Sequence, residues 1–253
     1  MAEEKKGVSR RDFMKTTGIA TGTLIGGGLI GGLIGYNAKQ DNATKGTTTG
    51  GGHGGDNAHP ANVGLKFFTN ANAFNVLSQA TERIFPEDDL GPGAIKLGAP
   101  YFIDNQLAGA YGMNAREYMQ GPFADGAPTQ GYQSRLTRAE IFSQGVAKLD
   151  EEANKRFKKG FADLDAKQMD EILTAFQKGE VDMMAVRSDF FFKLLRQATI
   201  EGVYADPIYG GNWNMDGWRM KGFPGHQMAY IGQIEKEGFQ KIEPKSISSM
   251  NHS

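Results

Sequence analysis

Few side chains in these 253 residues are of a type that performs chemistry, and most are poorly spaced for it. There is no cysteine, which removes thiol nucleophiles, disulfides, cysteine-ligated zinc or iron–sulfur clusters and covalently attached c-type haem. The four histidines are His53, His59, His226 and His252. None forms the His-x-x-x-His or His-Glu pair of a zinc site. His53 and His59 sit on a glycine tether, where ordering a metal site carries a high entropy cost, so they read as solvated. Glu87, Asp88 and Asp89 put three carboxylates in a row, enough to chelate calcium. The twelve-residue spacing of an EF-hand is missing, and a solvated turn is the favoured reading. No Gly-x-Ser-x-Gly elbow occurs, and no Gly-x-Gly-x-x-Gly stands at a strand–helix junction. With 28 Lys plus Arg against 29 Asp plus Glu, the chain has no field to attract nucleic acid. Catalytic, cofactor-binding and metal-binding residues are therefore expected to be absent.

What the N-terminus offers is an address. Ser9, Arg10, Arg11, Phe13 and Lys15 form a basic n-region that looks like the twin-arginine export signal. The uncharged run over 16–36 follows, and it is long enough to span a hydrocarbon core. Gly27, Gly31 and Gly35 recur in it at four-residue spacing, which suits close helix packing. No small-x-small cleavage site stands out at 36–39, so the segment is either removed or kept as a membrane anchor. Twin-arginine export carries folded proteins, often with a cofactor or partner bound. The expected location is the outer face of the cytoplasmic membrane, the periplasm or the cell surface. Residues 37–62 are Asn, Thr, Gly and Asp and cannot bury apolar surface, so they read as a flexible linker. Of the 35 glycines, 15 fall before residue 63.

The remaining domain, 63–253, must position whatever function the chain has, and its apolar period is 3.6. Phe74, Leu77, Thr81 and Ile84 share a helical face, with Asn70 or Thr69 as N-cap and Pro86 as stop. Pro92 and Gly93 open a second helix through Leu97, Tyr101 and Leu107. A loop over 112–131 precedes the clearest helix, marked by Phe142, Val146, Leu149, Ala153 and Phe157. On its wet side Glu151 pairs with Lys155 and Glu152 with Arg156. Asp165 and Gln168 resemble a capping box for a helix with Met169, Ile172, Leu173 and Phe176 inward. Phe190, Phe191, Leu194, Leu195 and Ala198 mark one more before Gly202. Nothing alternates with period two. The fold expected is all-α: about five helices with one long ordered loop, behind a signal or anchor helix and a disordered linker.

That loop, 203–225, holds both tryptophans, Trp213 and Trp218, among glycines, two prolines and further aromatics. A solvated linker would not have this composition. Glycines imply positive φ or close backbone approach, while aromatics supply burial at low entropy cost. Three readings stand: a flap closing the core, a partner surface, or a sugar site with stacked indoles and Asp206 or Asn212 holding hydroxyls. The partner reading names Tyr204, Asp206, Pro207, Tyr209, Gly210, Gly211, Asn212, Trp213, Gly217, Trp218, Phe223 and Pro224.

The run Asp206, Pro207, Ile208, Tyr209, Gly210, Gly211, Asn212, then Gly217 with Trp218, then Gly222, Phe223, Pro224 and Gly225, resembles the gluconate 2-dehydrogenase subunit 3 family. Ile84, Phe85 and Pro86, Asp88 with Asp89, Gly91 to Ala94 and the stretch from Tyr101 to Leu107 are similar to that family's N-terminal half. The resemblance implies a small, non-catalytic subunit of a membrane-associated, FAD-dependent sugar or sugar-acid dehydrogenase. In such enzymes FAD sits on the large subunit and a cytochrome subunit often takes the electrons. The small subunit is thought to support folding of the large one and to carry it out on its own twin-arginine signal. Some relatives have cysteines that link the subunits; this chain has none, which excludes covalent attachment. The competing expectation is a stand-alone, surface-anchored carbohydrate-binding module using the Trp213 and Trp218 loop.

Overall fold

The computed structural model describes residues 64–124, 126–127, 129–130 and 133–248, all within the unit Pro60–Ser253. The export-signal residues Ser9, Arg10, Arg11, Phe13 and Lys15, the 37–62 linker, His53, His59 and His252 lie outside the described residues.

Seven α-helices and no strand are found among the described residues, so the domain is all-α as expected. The five longer helices are α1 (Ala71–Ile84), α2 (Ala99–Leu107), α3 (Arg138–Phe157), α4 (Ala166–Gln177) and α5 (Ser188–Tyr204). Two short ones follow, α6 (Asp216–Lys221) and α7 (Ile231–Ile234). None is long and apolar enough to cross a membrane.

The helix ends follow local chemistry. Asn70 caps α1, its side chain accepting the Asn72 N–H at 2.8 Å, and the helix stops one residue short of Phe85 and Pro86. Capping boxes start α3, from Thr137 with Glu140, and α4, from Asp165 with Gln168. The buried sides are Phe142, Val146, Leu149 and Ala153 on α3 and Met169, Ile172, Leu173 and Phe176 on α4. Helix α5 runs through the middle and packs on the other four long helices. Its Phe191 ring meets Phe142 at 5.7 Å and Phe176 at 5.8 Å, both edge-on.

Three expectations are corrected. Helix α2 begins at Ala99 instead of Pro92, because Gly98 takes a left-handed φ of 75° and breaks the turn before it. Gly202 does not end α5. It lies inside the helix, where a Cβ would stand 3.0 Å from the Ala99 Cα, so its missing side chain lets α2 and α5 touch. On α3 the expected Glu152–Arg156 pair forms at 3.2 Å, but Glu152 is buried at 5% exposure, and Glu151 pairs with Lys148 at 2.7 Å instead of with Lys155.

Two carboxylates hold segments that have no secondary structure. Asp104 on α2 is fully buried and accepts the backbone N–H groups of Lys66 (2.6 Å), Phe67 (3.1 Å) and Phe68 (2.8 Å). Glu82 on α1 accepts the Ile95 N–H at 2.8 Å and the Glu87 N–H at 3.2 Å, closing the connection to α2. Burial pushes the Glu82 carboxyl above its ordinary 4.5, against the Ile95 and Glu87 amides, which favour the ionised form.

The folded carboxyl thus holds its proton more tightly than the unfolded one. Its contribution to stability is full below the unfolded pKa and is lost as pH rises through the raised folded value. Glu82→Gln cannot titrate. In urea denaturation of both proteins, the wild type should gain stability relative to Glu82→Gln as pH falls from about 8 to about 4. A difference that stays flat would show that Glu82 titrates normally.

Candidate functional site

Helix α5 takes in Val203 and Tyr204, expected to open the loop, and residues 205–225 fold as one ordered loop containing the 3-10 turns Pro207–Tyr209 and Trp213–Met215 and helix α6. Its floor is backbone against backbone. A Cβ on Gly217 would stand 2.1 Å from the Val203 carbonyl oxygen, and one on Gly211 would stand 2.2 Å from that of Gly202. Beneath lies the apolar cluster of Phe85, Ala94, Leu97, Ala99 and Val203, with Tyr204 and Met220 packed against it.

Asn212 organises the bend. It is fully buried, its amide donates to the Ala205 carbonyl at 2.8 Å, and its Oδ1 accepts the Gly217 N–H at 2.8 Å. Asn212, Asn214 and Met215 all take left-handed φ, at 47°, 56° and 60°. Such backbone persists only where its surroundings over-determine it. Here the two Asn212 bonds act with the Trp213 N–H, which donates to the Leu97 carbonyl at 3.1 Å, and with Arg219 Nη1, which donates to the Asn214 carbonyl.

The two tryptophans have different tasks. Trp218 is 6% exposed, donates Nε1–H to the Tyr204 carbonyl at 2.8 Å, and meets the Phe223 ring edge-on at 5.4 Å. Trp213 is half-buried. Its ring lies against Gly98, where a Cβ would come within 2.3 Å of it, and 5.2 Å from the Tyr101 ring. Of the two indoles, Trp218 is inside the domain and only Trp213 keeps part of its ring accessible.

Asp206 is committed internally as well. Its Oδ1 accepts the Ile208 N–H at 3.0 Å and the Ser246 hydroxyl at 2.6 Å, and Oδ2 accepts the Ile247 N–H at 2.9 Å. The returning C-terminal segment is fastened again by a parallel bridge between Gly225 and Lys245, where the His226 N–H donates to the Lys245 carbonyl at 2.7 Å. The Lys221 ammonium lies 5.5 Å from the centre of the Tyr204 ring.

Of the twelve residues named for partner contact, Gly211, Asn212, Gly217 and Trp218 are buried, and Tyr204, Asp206, Pro207, Gly210, Trp213 and Pro224 are partly covered. Tyr209 and Phe223 face solvent at 53% and 49% exposure. Ile208, at 54%, joins them and was not singled out from sequence. A larger omission follows the loop: Met228, Tyr230, Ile231, Ile234 and Phe239 are all exposed. Only Ile231 and Ile234 share a helical spacing, within one four-residue helix that is too short for a period to show.

The other chemical candidates resolve into structure. Asp88 and Gly91 exchange backbone hydrogen bonds at 3.0 and 3.2 Å, Asp88 Oδ1 accepts the Leu90 N–H, and Glu87 pairs with Lys96. Among the described residues no cluster of three His, Asp or Glu could hold a metal. An open groove of about 600 Å³ borders the start of α5, with Arg135, Arg187, Asp189 and Lys193 in its walls. Arg187 forks onto Asp189 through two 2.9 Å bonds, which holds the Asp189 carboxyl below its ordinary value.

The model of one protein family, gluconate 2-dehydrogenase subunit 3, matches residues 71–225, from the first residue of α1 to the Gly225 bridge. The chain belongs to this family. No curated protein and no solved structure matches significantly. The matched span takes in α1 to α6 and the whole aromatic loop, so the loop geometry above is the geometry of the family region in this chain.

Asn212→Ala would leave the Ala205 carbonyl and the Gly217 N–H buried without partners and remove an Asn from a left-handed position. It should cost about 2–4 kcal/mol in urea denaturation, whereas Tyr209→Ala should change stability by less than about 0.5 kcal/mol. Equal effects from the two substitutions would contradict this division of the loop.

Proposed function

We propose that this chain is the non-catalytic small subunit of an exported, flavin-dependent dehydrogenase of sugars or sugar acids. FAD is carried by a separate large subunit, and a cytochrome subunit is a further candidate member of the complex. The small subunit acts as escort for twin-arginine export and as a scaffold for the large one. The complex works on the outer face of the cytoplasmic membrane, in the periplasm or at the cell surface. The N-terminal apolar run tethers it there if it is not removed.

The observation that carries this reading is the family match over 71–225. The loop supports it in a specific way. The side chains best suited to bind a small polar substrate, Asp206 and Asn212, are committed to internal bonds. Among the side chains the loop turns outward, beside Asn214, Arg219 and Lys221, are the apolar Ile208, Tyr209 and Phe223. Apolar and aromatic side chains flanking a rigid, self-satisfied frame suit contact with another protein better than capture of a hydroxylated ligand.

Export of the full chain together with its flavoprotein partner tests the proposal. Replacing Arg10 and Arg11 by Lys should remove the partner's flavin from the exported fraction while leaving it inside the cell. The isolated small subunit should show no flavin absorbance near about 450 nm. Normal export of the partner with both arginines replaced would remove the escort role.

A further inference from the structure

Residues 226–244 form an arm that leaves the loop at one anchored point and returns at another. The parallel bridge of Gly225 with Lys245 closes it, and Asp206 holds Ser246 and Ile247 just beyond. Between those points its backbone bonds are local: the Gln233 and Ile234 N–H groups donate to the Tyr230 carbonyl, and the Lys236 N–H donates to that of Gln233. Ile242 is partly covered, and the arm's five other large apolar side chains point to solvent. Met228 is 82% exposed, Ile231 79%, Ile234 74% and Phe239 91%, with Tyr230 at 44%.

Taking about 150–250 Å² for each large side chain, these five present on the order of 700 Å² of apolar surface. A monomer's largest apolar patch is typically about 300–600 Å², and one side of a standard protein interface buries about 800 Å². The exposed side chains of the arm thus sum to the scale of one side of an interface.

Its charge selects the kind of occupant. Glu235, Glu237 and Glu243 outnumber Lys236 and Lys241, so the arm lacks the basic excess that draws an apolar segment to an anionic lipid surface. On α7, Ile231 and Ile234 stand three residues apart, the spacing of anchors that enter a groove on another protein. Being fastened at both ends, the arm has less freedom to lose on docking than a free tail.

We propose that this arm is the principal docking element of the subunit, inserting Ile231, Ile234 and Phe239 into an apolar groove on the flavin-bearing dehydrogenase chain. The assignment rests on the subunit role proposed above and shifts its contact surface from the aromatic loop to the segment after it. The family match ends at Gly225, so the arm lies wholly outside the matched span.

The test uses the tagged full chain co-expressed with its flavoprotein, reading bound flavin per small subunit, beside the triple variant Ile231→Asp, Ile234→Asp and Phe239→Asp. These side chains are exposed, so the far-ultraviolet circular dichroism and urea midpoint should match the wild type. Affinity for the flavoprotein should fall about 100-fold or more. Glu171→Lys on α4 is the surface control and should leave affinity within about twofold. A photo-cross-linking residue at 239 should capture the flavoprotein, and one at 171 should not.

If the wild type retains the flavoprotein and the triple variant does too, the docking assignment is overturned while the subunit role stands. If the wild type retains no flavoprotein, the subunit role falls and the assignment falls with it. If the variant instead turns a self-associated small subunit into a monomer while keeping flavin, the occupant is a second copy and the assignment is wrong.

Discussion

The α2–α5 contact governs how the rest of the domain is laid down. Gly202 lets the Ala99 backbone approach so closely that a Cβ would be 3.0 Å from its Cα, and Gly211 then rests on the Gly202 carbonyl from outside. Three stretches of backbone meet there, with the Ala99 Cβ against Gly202 and the Phe102 side chain against both glycines. That stacking brings Leu97, Ala99 and Val203 into one cluster and puts the Leu97 carbonyl within reach of the Trp213 N–H. The loop therefore takes its shape from a helix contact made before it begins. A larger residue at 202 would part the helices and lift the loop from its floor.

With backbone so close to backbone, the remaining problem is satisfying amides that no helix serves. Carboxylates solve it. Asp104 gathers the three N–H groups of 66–68, Glu82 closes the connection between α1 and α2, and Asp206 receives the C-terminal segment. A buried N–H left unpaired costs about 1–3 kcal/mol, a cost that Asp104 removes at the buried Phe68 amide, while Glu82 and Asp206 order partly covered or exposed chain. Acidic residues that look chemical in a list turn out to organise irregular chain. Glu87 and Asp88 do the same in a tighter turn.

Much of this was legible in the sequence where the cause is local. Asn70, and Asp165 with Gln168, announce helix starts because capping needs only residues three or four apart. The α3 and α4 faces follow from period alone. What escaped reading depends on neighbours distant in the chain. Gly98 breaks a helix and Gly202 sits inside one, yet locally the two residues are the same; the difference is that Trp213 lies against the first and Ala99 against the second. Glu152 reads as a surface partner of Arg156, but its burial is decided by what packs over α3. The tryptophans are the sharpest case. Equal by composition, they separate by what surrounds them: Trp218 is buried with its Nε1–H on the Tyr204 carbonyl, and Trp213 is half-buried against Gly98 and Tyr101.

The same physics explains why the loop and the arm, adjacent in sequence, differ so much. The loop has inward-facing partners for each polar group that organises it, so its aromatics can be buried and its strained turns at Asn214 and Met215 are held. Between its two anchored ends the arm has local backbone hydrogen bonds and one side-chain tie, Glu243 to Arg219, and Ile231, Ile234 and Phe239 stay exposed among the described residues. Burying one such side chain is worth about 1.5–3 kcal/mol, a gain that folding of this chain leaves unused. Of the aromatic residues that first suggest a contact surface, Trp218 completes the interior while Tyr209 and Phe223 stay exposed, and the arm that follows adds the run of exposed apolar side chains from Met228 to Phe239.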